Sequence, residues 1–188
     1  VTIPGPANLP EAGGIALVGT TTLTASQVAI VDNEAGGAGG GIDGSGADLH
    51  NAVIAHNTAG STGGGVNGAG AFQYTVVWDN TVFDYEGMDD PLGDDGNARM
   101  PVDLRDLTAI DPLSWDVHAA YHSRLIDAGD PAVLDPDGST SDPGVFGGPG
   151  ADAWDLDRDG SPVWWQPGGY DPASYPALGF DCDDLDSA

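Results

Sequence analysis

A Gly-Gly-aliphatic triplet returns three times in the first half of this chain. It reads Gly13-Gly14-Ile15, Gly40-Gly41-Ile42 and Gly64-Gly65-Val66, at intervals of 27 and 24 residues. A second landmark follows each triplet. Val28-Ala29-Ile30-Val31-Asp32-Asn33 returns as Ala52-Val53-Ile54-Ala55-His56-Asn57 and as Thr75-Val76-Val77-Trp78-Asp79-Asn80, with the Asn residues 24 and 23 apart. A fixed period of this length is a strong constraint on architecture, because each repeat must bury its apolar face against its neighbours. Leu is too sparse for a leucine-rich repeat, and no ten-residue helical pattern supports an ankyrin-type unit. Short β-prone runs such as Thr20–Thr24 and Ala71–Tyr74 lie between the landmarks.

The fold expected is all-β: a right-handed parallel β-helix, each coil made of about three short strands, closed by an irregular Asp/Pro/Gly-rich C-terminal cap. Equivalent residues then stack at the ordinary strand spacing of about 4.8 Å. Asn33, Asn57 and Asn80 are expected to form a side-chain ladder at a turn. The Gly pairs mark a turn that needs either positive φ or close packing. Gly39-Gly40-Gly41-Ile42, Asn57-Thr58-Ala59-Gly60 and Gly63-Gly64-Gly65-Val66 resemble repeats of secreted bacterial parallel β-helix proteins of the pectin-lyase-like superfamily. They also resemble those of chlamydia-type polymorphic outer-membrane proteins. The resemblance covers about residues 12–85. It implies a fold more than an activity, because that fold hosts lyases, hydrolases, adhesins and inert stalks.

Organisation follows. Residues 1–125 read as β-helix coils, with clear repeats over 12–85. Residues 126–150 read as a closing coil and cap, carried by Leu125-Ile126-Asp127-Ala128-Gly129-Asp130 and Asp135-Pro136-Asp137-Gly138-Ser139. A Pro- and Asp-rich finish protects an open sheet edge. Residues 151–188 form an Asp-rich segment. It is similar to the metal-binding repeats at the C-terminal ends of myxobacterial surface proteins, on the strength of Asp155-Leu156-Asp157-Arg158-Asp159-Gly160 and Asp181-Cys182-Asp183-Asp184-Leu185-Asp186.

The chain carries 27 Asp but only three Glu (Glu11, Glu34, Glu86), four Arg and no Lys, for a net charge of −26. Asp suits tight turns and hard-cation loops. General halophilic acidity draws on Glu as well. Asp155, Asp157 and Asp159 occupy positions 1, 3 and 5 of an EF-hand-like loop, with Gly160 at 6 and Ser161 next; position 12 is Gln166, so an EF-hand is excluded. Asp181, Asp183 and Asp184 are expected to complete a Ca²⁺ site. Weaker candidates are Asp135, Asp137 and Asp142, then Asp89, Asp90, Asp94 and Asp95; Asx turns suit the same residues. Zinc finds no pattern: His118 and His122 stand four apart without acidic partners in a metalloprotease spacing.

For catalysis, stacking places Asp32, His56 and Asp79 at equivalent positions, a carboxylate–imidazole–carboxylate column that general acid–base chemistry can use. A solvated polar column is the favoured account of it. A polyuronate lyase lacks its basic groups here, with only Arg99, Arg105, Arg124 and Arg158 as cations. Cys182 sits among carboxylates, which disfavours a reactive thiolate. It is the single Cys, so it is either a free thiol or bonded to chain beyond this one. Trp154, Trp164, Trp165, Tyr170 and Tyr175 form either a sugar platform or a small aromatic core.

The function expected is a calcium-stabilised structural or adhesive module of an extracellular or bacterial cell-surface protein, a piece of a longer polypeptide. Its partners are then the rest of that polypeptide or other surface proteins. The alternative is an enzyme or binding module acting on polysaccharide. The negative charge excludes nucleic acid, and no apolar run is long enough for direct membrane insertion.

Overall fold

The computed structural model describes residues 12–120, 123–135 and 138–151. Strands dominate them, and the one helical element is a 3₁₀ turn at Pro112–Ser114. The first repeat supplies β1 (Ile15–Ala16), β2 (Leu23–Val31) and β3 (Glu34–Ala35). The second supplies β4 (Ile42–Asp43), β5 (Ala47–Ala55) and β6 (Thr58–Ala59). The third supplies β7 (Val66–Asn67), β8 (Gly70–Gln73) and β9 (Val76–Trp78), and β10 (Tyr85–Glu86) begins a fourth. Three parallel sheets result: β1-β4-β7-β10, β2-β5-β8 with β9 also on β5, and β3-β6. Ile15, Ile42 and Val66 stand in one register, as the sequence spacing predicts, and Tyr85 joins them 19 residues on, where no repeat is legible.

The long strands are bent. Ala47 and Leu49 face the interior, and so do Ala52 and Ile54, so the inward phase moves from odd to even positions within β5. Asn51 makes that change with a left-handed backbone (φ 52°), as do its stacked equivalents Gln27 (φ 52°) and Tyr74 (φ 48°). A left-handed residue costs energy unless it is Gly, Asn or Asp. The column persists because coils above and below fix the same bend.

A second left-handed column follows at Asp32, His56 and Asp79, and turns the chain onto the ladder. Asn33, Asn57 and Asn80 are buried there. The Asn57 Oδ1 accepts from the Asn33 amide at 3.0 Å and its Nδ2 at 2.9 Å. The Asn80 Oδ1 accepts the same pair of bonds from Asn57 at 3.0 and 2.9 Å. Each Nδ2 also donates to a main-chain carbonyl: Asn57 to Ile30 at 2.8 Å and Asn80 to Ile54 at 3.0 Å. The ladder ends on Asp84, whose Oδ1 takes the place of the next Asn at 2.9 Å from Asn80 Nδ2.

The glycines divide the two roles expected of them. Gly39 (φ 65°) and Gly63 (φ 60°) supply positive φ. The pairs that follow supply space: a Cβ on Gly41 would lie 2.6 Å from the Gly65 carbonyl oxygen and 3.1 Å from Asn57 Nδ2. The triplet therefore repeats because the amide ladder and the next coil leave no room for a side chain.

Ile30, Ile42, Leu49, Ile54, Val66, Phe72 and Val77 fill the interior. Full burial of each such side chain contributes roughly 1.5–3 kcal/mol. Val31, Val53, Ala55 and Val76 face the other way, under Val102 and Leu125. Alternation fails at Val53-Ile54 and Val76-Val77 because both faces of these strands are covered. The covering chain includes an antiparallel pair, β11 (Leu104–Asp106) with β12 (Asp116–Ala119).

Asn57→Ala should lower unfolding free energy by about 3 kcal/mol, since it orphans two buried N–H groups at roughly 1–3 kcal/mol each. Asp84→Asn retains the ladder acceptor but turns an N–H₂ at Arg99 Nε in place of an accepting oxygen, so it should cost about 1–2 kcal/mol, less than Asn57→Ala. Urea denaturation of the two variants measures the contrast.

Candidate functional site

The column proposed for acid–base chemistry sits at the second left-handed corner, on the outside of the coils. His56 Nδ1 lies 3.4 Å from Asp79 Oδ2, and the Asp79 side chain is 73 % exposed. Asp32 occupies the equivalent place one coil earlier and is exposed. The other ring nitrogen, His56 Nε2, lies 3.3 Å from the Val102 carbonyl oxygen, which can only accept. The ring therefore carries a proton on Nε2, directed at the covering chain. The Nε2 contact ties the chain at 102 to the corner. The ring's pairing with Asp79 is a solvent-screened contact of the kind worth little.

A second imidazole–carboxylate pair lies where sequence reasoning placed nothing. His50, on the outer face of β5, meets Asp130 with Nε2 to Oδ2 at 2.9 Å. Tyr74 stands edge-on to the same ring at 5.9 Å. Beneath them Asn51 and Ser141 are fully buried. Asn51 Nδ2 donates to Ser141 Oγ at 2.7 Å, and Asn51 Oδ1 accepts from the Asp130 amide at 2.7 Å. The 129–144 chain is thus docked on the first bend. One signal existed: His50-Asn51 interrupts an apolar run, and Asn is the side chain best suited to a left-handed corner. The partners, 79 and 90 residues on, carry no local signal.

His118 is held against Asp116, Nδ1 to Oδ1 at 2.5 Å, and its ring stacks on Phe146 at 3.4 Å between centroids. His122 lies outside the described residues.

The principal calcium ligands expected, Asp155, Asp157, Asp159, Ser161, Asp181, Asp183 and Asp184, lie outside the described residues, as do Cys182 and the aromatic group Trp154, Trp164, Trp165, Tyr170 and Tyr175. Asp137 does too. Its companions Asp135 and Asp142 turn a carboxylate oxygen to main-chain amides: Asp135 Oδ1 accepts from Gly148, and Asp142 Oδ1 from Asp127 at 2.6 Å. In the 89–95 cluster the screening cation at Asp90 is Arg99, whose Nη2 lies 2.6 Å from Asp90 Oδ2 while its Nε reaches Asp84 Oδ2 at 3.0 Å. Burial lowers the Arg99 pKa, and the hydrogen bonds and charges of Asp90 and Asp84 raise it by more. Burial, then Asp90 and Asp84, push the neighbouring Tyr85 hydroxyl well above its ordinary value, against a smaller opposing pull from Arg99. Among the described residues, no three His, Cys, Asp or Glu side chains converge on a metal-sized point.

What the described Asp side chains do instead is consistent. Five of them accept the amide two residues ahead: Asp90 from Leu92 at 3.1 Å, Asp106 from Thr108 at 2.8 Å, Asp111 from Leu113 at 3.0 Å, Asp116 from His118 at 3.1 Å and Asp130 from Ala132 at 2.8 Å. This is the Asx turn, and Glu is one methylene too long for it.

Compared with known proteins, the chain matches no family model, no curated protein and no solved structure.

Asp106 shows the turn electrostatically. The Thr108 hydroxyl and then the Thr108 amide hold its carboxyl below its ordinary value of 3.8. Its folded pKa is depressed, so the turn's contribution is present above the ordinary value and is lost as pH falls through the lower folded one. Thr108→Val should return the Asp106 titration toward 3.8, read by carboxyl carbon NMR. Asp106→Glu should lose the turn and lower Tm slightly, while Asp106→Asn, which keeps an acceptor at the same reach, should lower it less.

Proposed function

We propose that this chain is a right-handed parallel β-helix serving as a rigid structural or adhesive module of an extracellular or cell-surface protein, stabilised by calcium. The observation that carries the reading is the in-register stack of three parallel sheets around a buried amide ladder. Such a stack gains stiffness from every added coil and needs no catalytic group to be useful. Its partners would be the remainder of a longer polypeptide or neighbouring surface proteins. The −26 charge favours bound cations over nucleic acid and supports the calcium limb of the proposal.

In this reading, Asp155, Asp157 and Asp159, with Asp181, Asp183 and Asp184, bind Ca²⁺ and tie the C-terminal segment into one folded unit. Ser161 provides a further oxygen. Folding is then coupled to the millimolar calcium found outside cells. A polysaccharide-acting site would need Asp32, His56 and Asp79 open together to a substrate, and the bond from His56 to the Val102 carbonyl argues against that use of the ring.

Thermal unfolding in calcium and in chelator tests the proposal. Extracellular modules bind calcium at about 10⁻⁴–10⁻³ M. Calcium at about ten times Kd adds about 1.4 kcal/mol per site, which raises Tm by about 3–6 °C in a chain of this size. Asp157→Asn should abolish most of that shift. A Tm indifferent to chelation would overturn the calcium limb.

A further inference from the structure

The two ends of the stack are built differently. At the β10 end the edge is broken and charged: β8 and β9 are short, the ladder terminates on Asp84, and Arg99 locks Asp84 to Asp90. Pro91, Asp89 and Asp94 crowd the same stretch. These are the devices that keep a sheet edge from pairing with foreign strands.

Among the described residues the β2 end has none of them. Leu23–Val31 is nine residues long, with no charged residue, no Pro and no Gly. It keeps an even parallel register with β5 on its inner side, from Leu23 opposite Ala47 to Val31 opposite Ala55. Alternate residues of a strand turn their N–H and C=O to opposite sides, so the outer side carries donors and acceptors on both arms of the bend at Gln27, unpaired by any described residue. The interior is open here as well. Leu23, Ala25 and Val28 are only half-buried, whereas their register partners Ala47, Leu49 and Ala52 are buried. Ile15 and Leu17 border the same opening.

We infer that the β1–β2 edge is a docking surface, and that its occupant is a further parallel repeat of the same polypeptide, placed ahead of Ala12. The surface offered by β2 continues the interface that β2 itself makes with β5, in the same register and with the same bend. Translation by one strand spacing therefore supplies a partner that fits both the backbone row and the half-open core. The sequence keeps the landmark upstream: Asn8 precedes Gly13-Gly14 as Asn33 precedes Gly40-Gly41, five residues ahead instead of seven. The inference rests on the stacked-coil part of the proposed function and is independent of calcium.

The test inserts a copy of residues 40–63 between Ala12 and Gly13 and follows amide hydrogen exchange by NMR, with β5 amides as the internal control of folding. The outward-facing amides of β2 should exchange at least tenfold more slowly than in the parent chain, and Tm should rise. If β5 stays protected and the β2 amides do not slow, the inference fails. Two further measurements on the parent chain identify other occupants. Protection of β2 that grows with protein concentration assigns the edge to a second copy. Protection that disappears on removal of residues 152–188 assigns it to the C-terminal segment. Either result overturns the proposal. Loss of the chelation effect on Tm bears on calcium alone and leaves this test intact.

Discussion

Everything in this stack depends on satisfying main-chain polar groups at a corner that lies inside the protein. At the second bend the strand hydrogen bonds stop, yet the chain is buried. An amide side chain solves the problem because it carries both a donor and an acceptor. Asn57 uses its oxygen for two N–H groups of the coil before and its nitrogen for the oxygen of Asn80 and a main-chain carbonyl. A Ser or Thr hydroxyl also does both but has a single donor; the amide adds a second N–H, and Asn57 uses both. The ladder then dictates its surroundings. Close stacking of the amides and of the facing coil excludes a Cβ at Gly14, Gly41 and Gly65, so the Gly pair and the Asn recur together.

That coupling is why the first half of the chain was readable. The triplets fixed the register of Ile15, Ile42 and Val66, and the Asn spacing located the ladder. The all-β class and the parallel pairing were legible for the same reason. The division of labour among the glycines was not. Positive φ at Gly39 and crowding at Gly41 look the same in sequence, because both select glycine. The first left-handed column left even less trace: Gln27, Asn51 and Tyr74 share no side-chain property, and only the stacked backbone imposes their conformation.

The second half hid its contacts for a different reason. Its links to the coils are pairs far apart in sequence, such as Asn51 with Ser141 and His50 with Asp130. No periodicity relates such partners. Even so, a trace of the docking was present as a defect. Val53-Ile54 and Val76-Val77 break the in–out alternation expected of a strand with one wet face, and the covering cluster of Val102 and Leu125 is what permits it. A failed alternation thus marked a strand covered on both sides.

The excess of Asp over Glu has at least two possible physical sources, and the described residues separate them. Single Asp side chains closing turns on the amide two ahead account for Asp90, Asp106, Asp111, Asp116 and Asp130. The residues they bond are Leu92, Thr108, Leu113, His118 and Ala132, none of them acidic. The Asp155, Asp157 and Asp159 series has a different relation to its neighbours. There the residue two ahead of one carboxylate is the next carboxylate. Turns of the same kind in that series would draw like charges together, and charges so placed raise one another's pKa unless a cation lies among them. The bias toward Asp is therefore weak support for calcium across the chain as a whole. The alternating spacing at 155–159, which an Asx turn does not require, is the stronger ground for it.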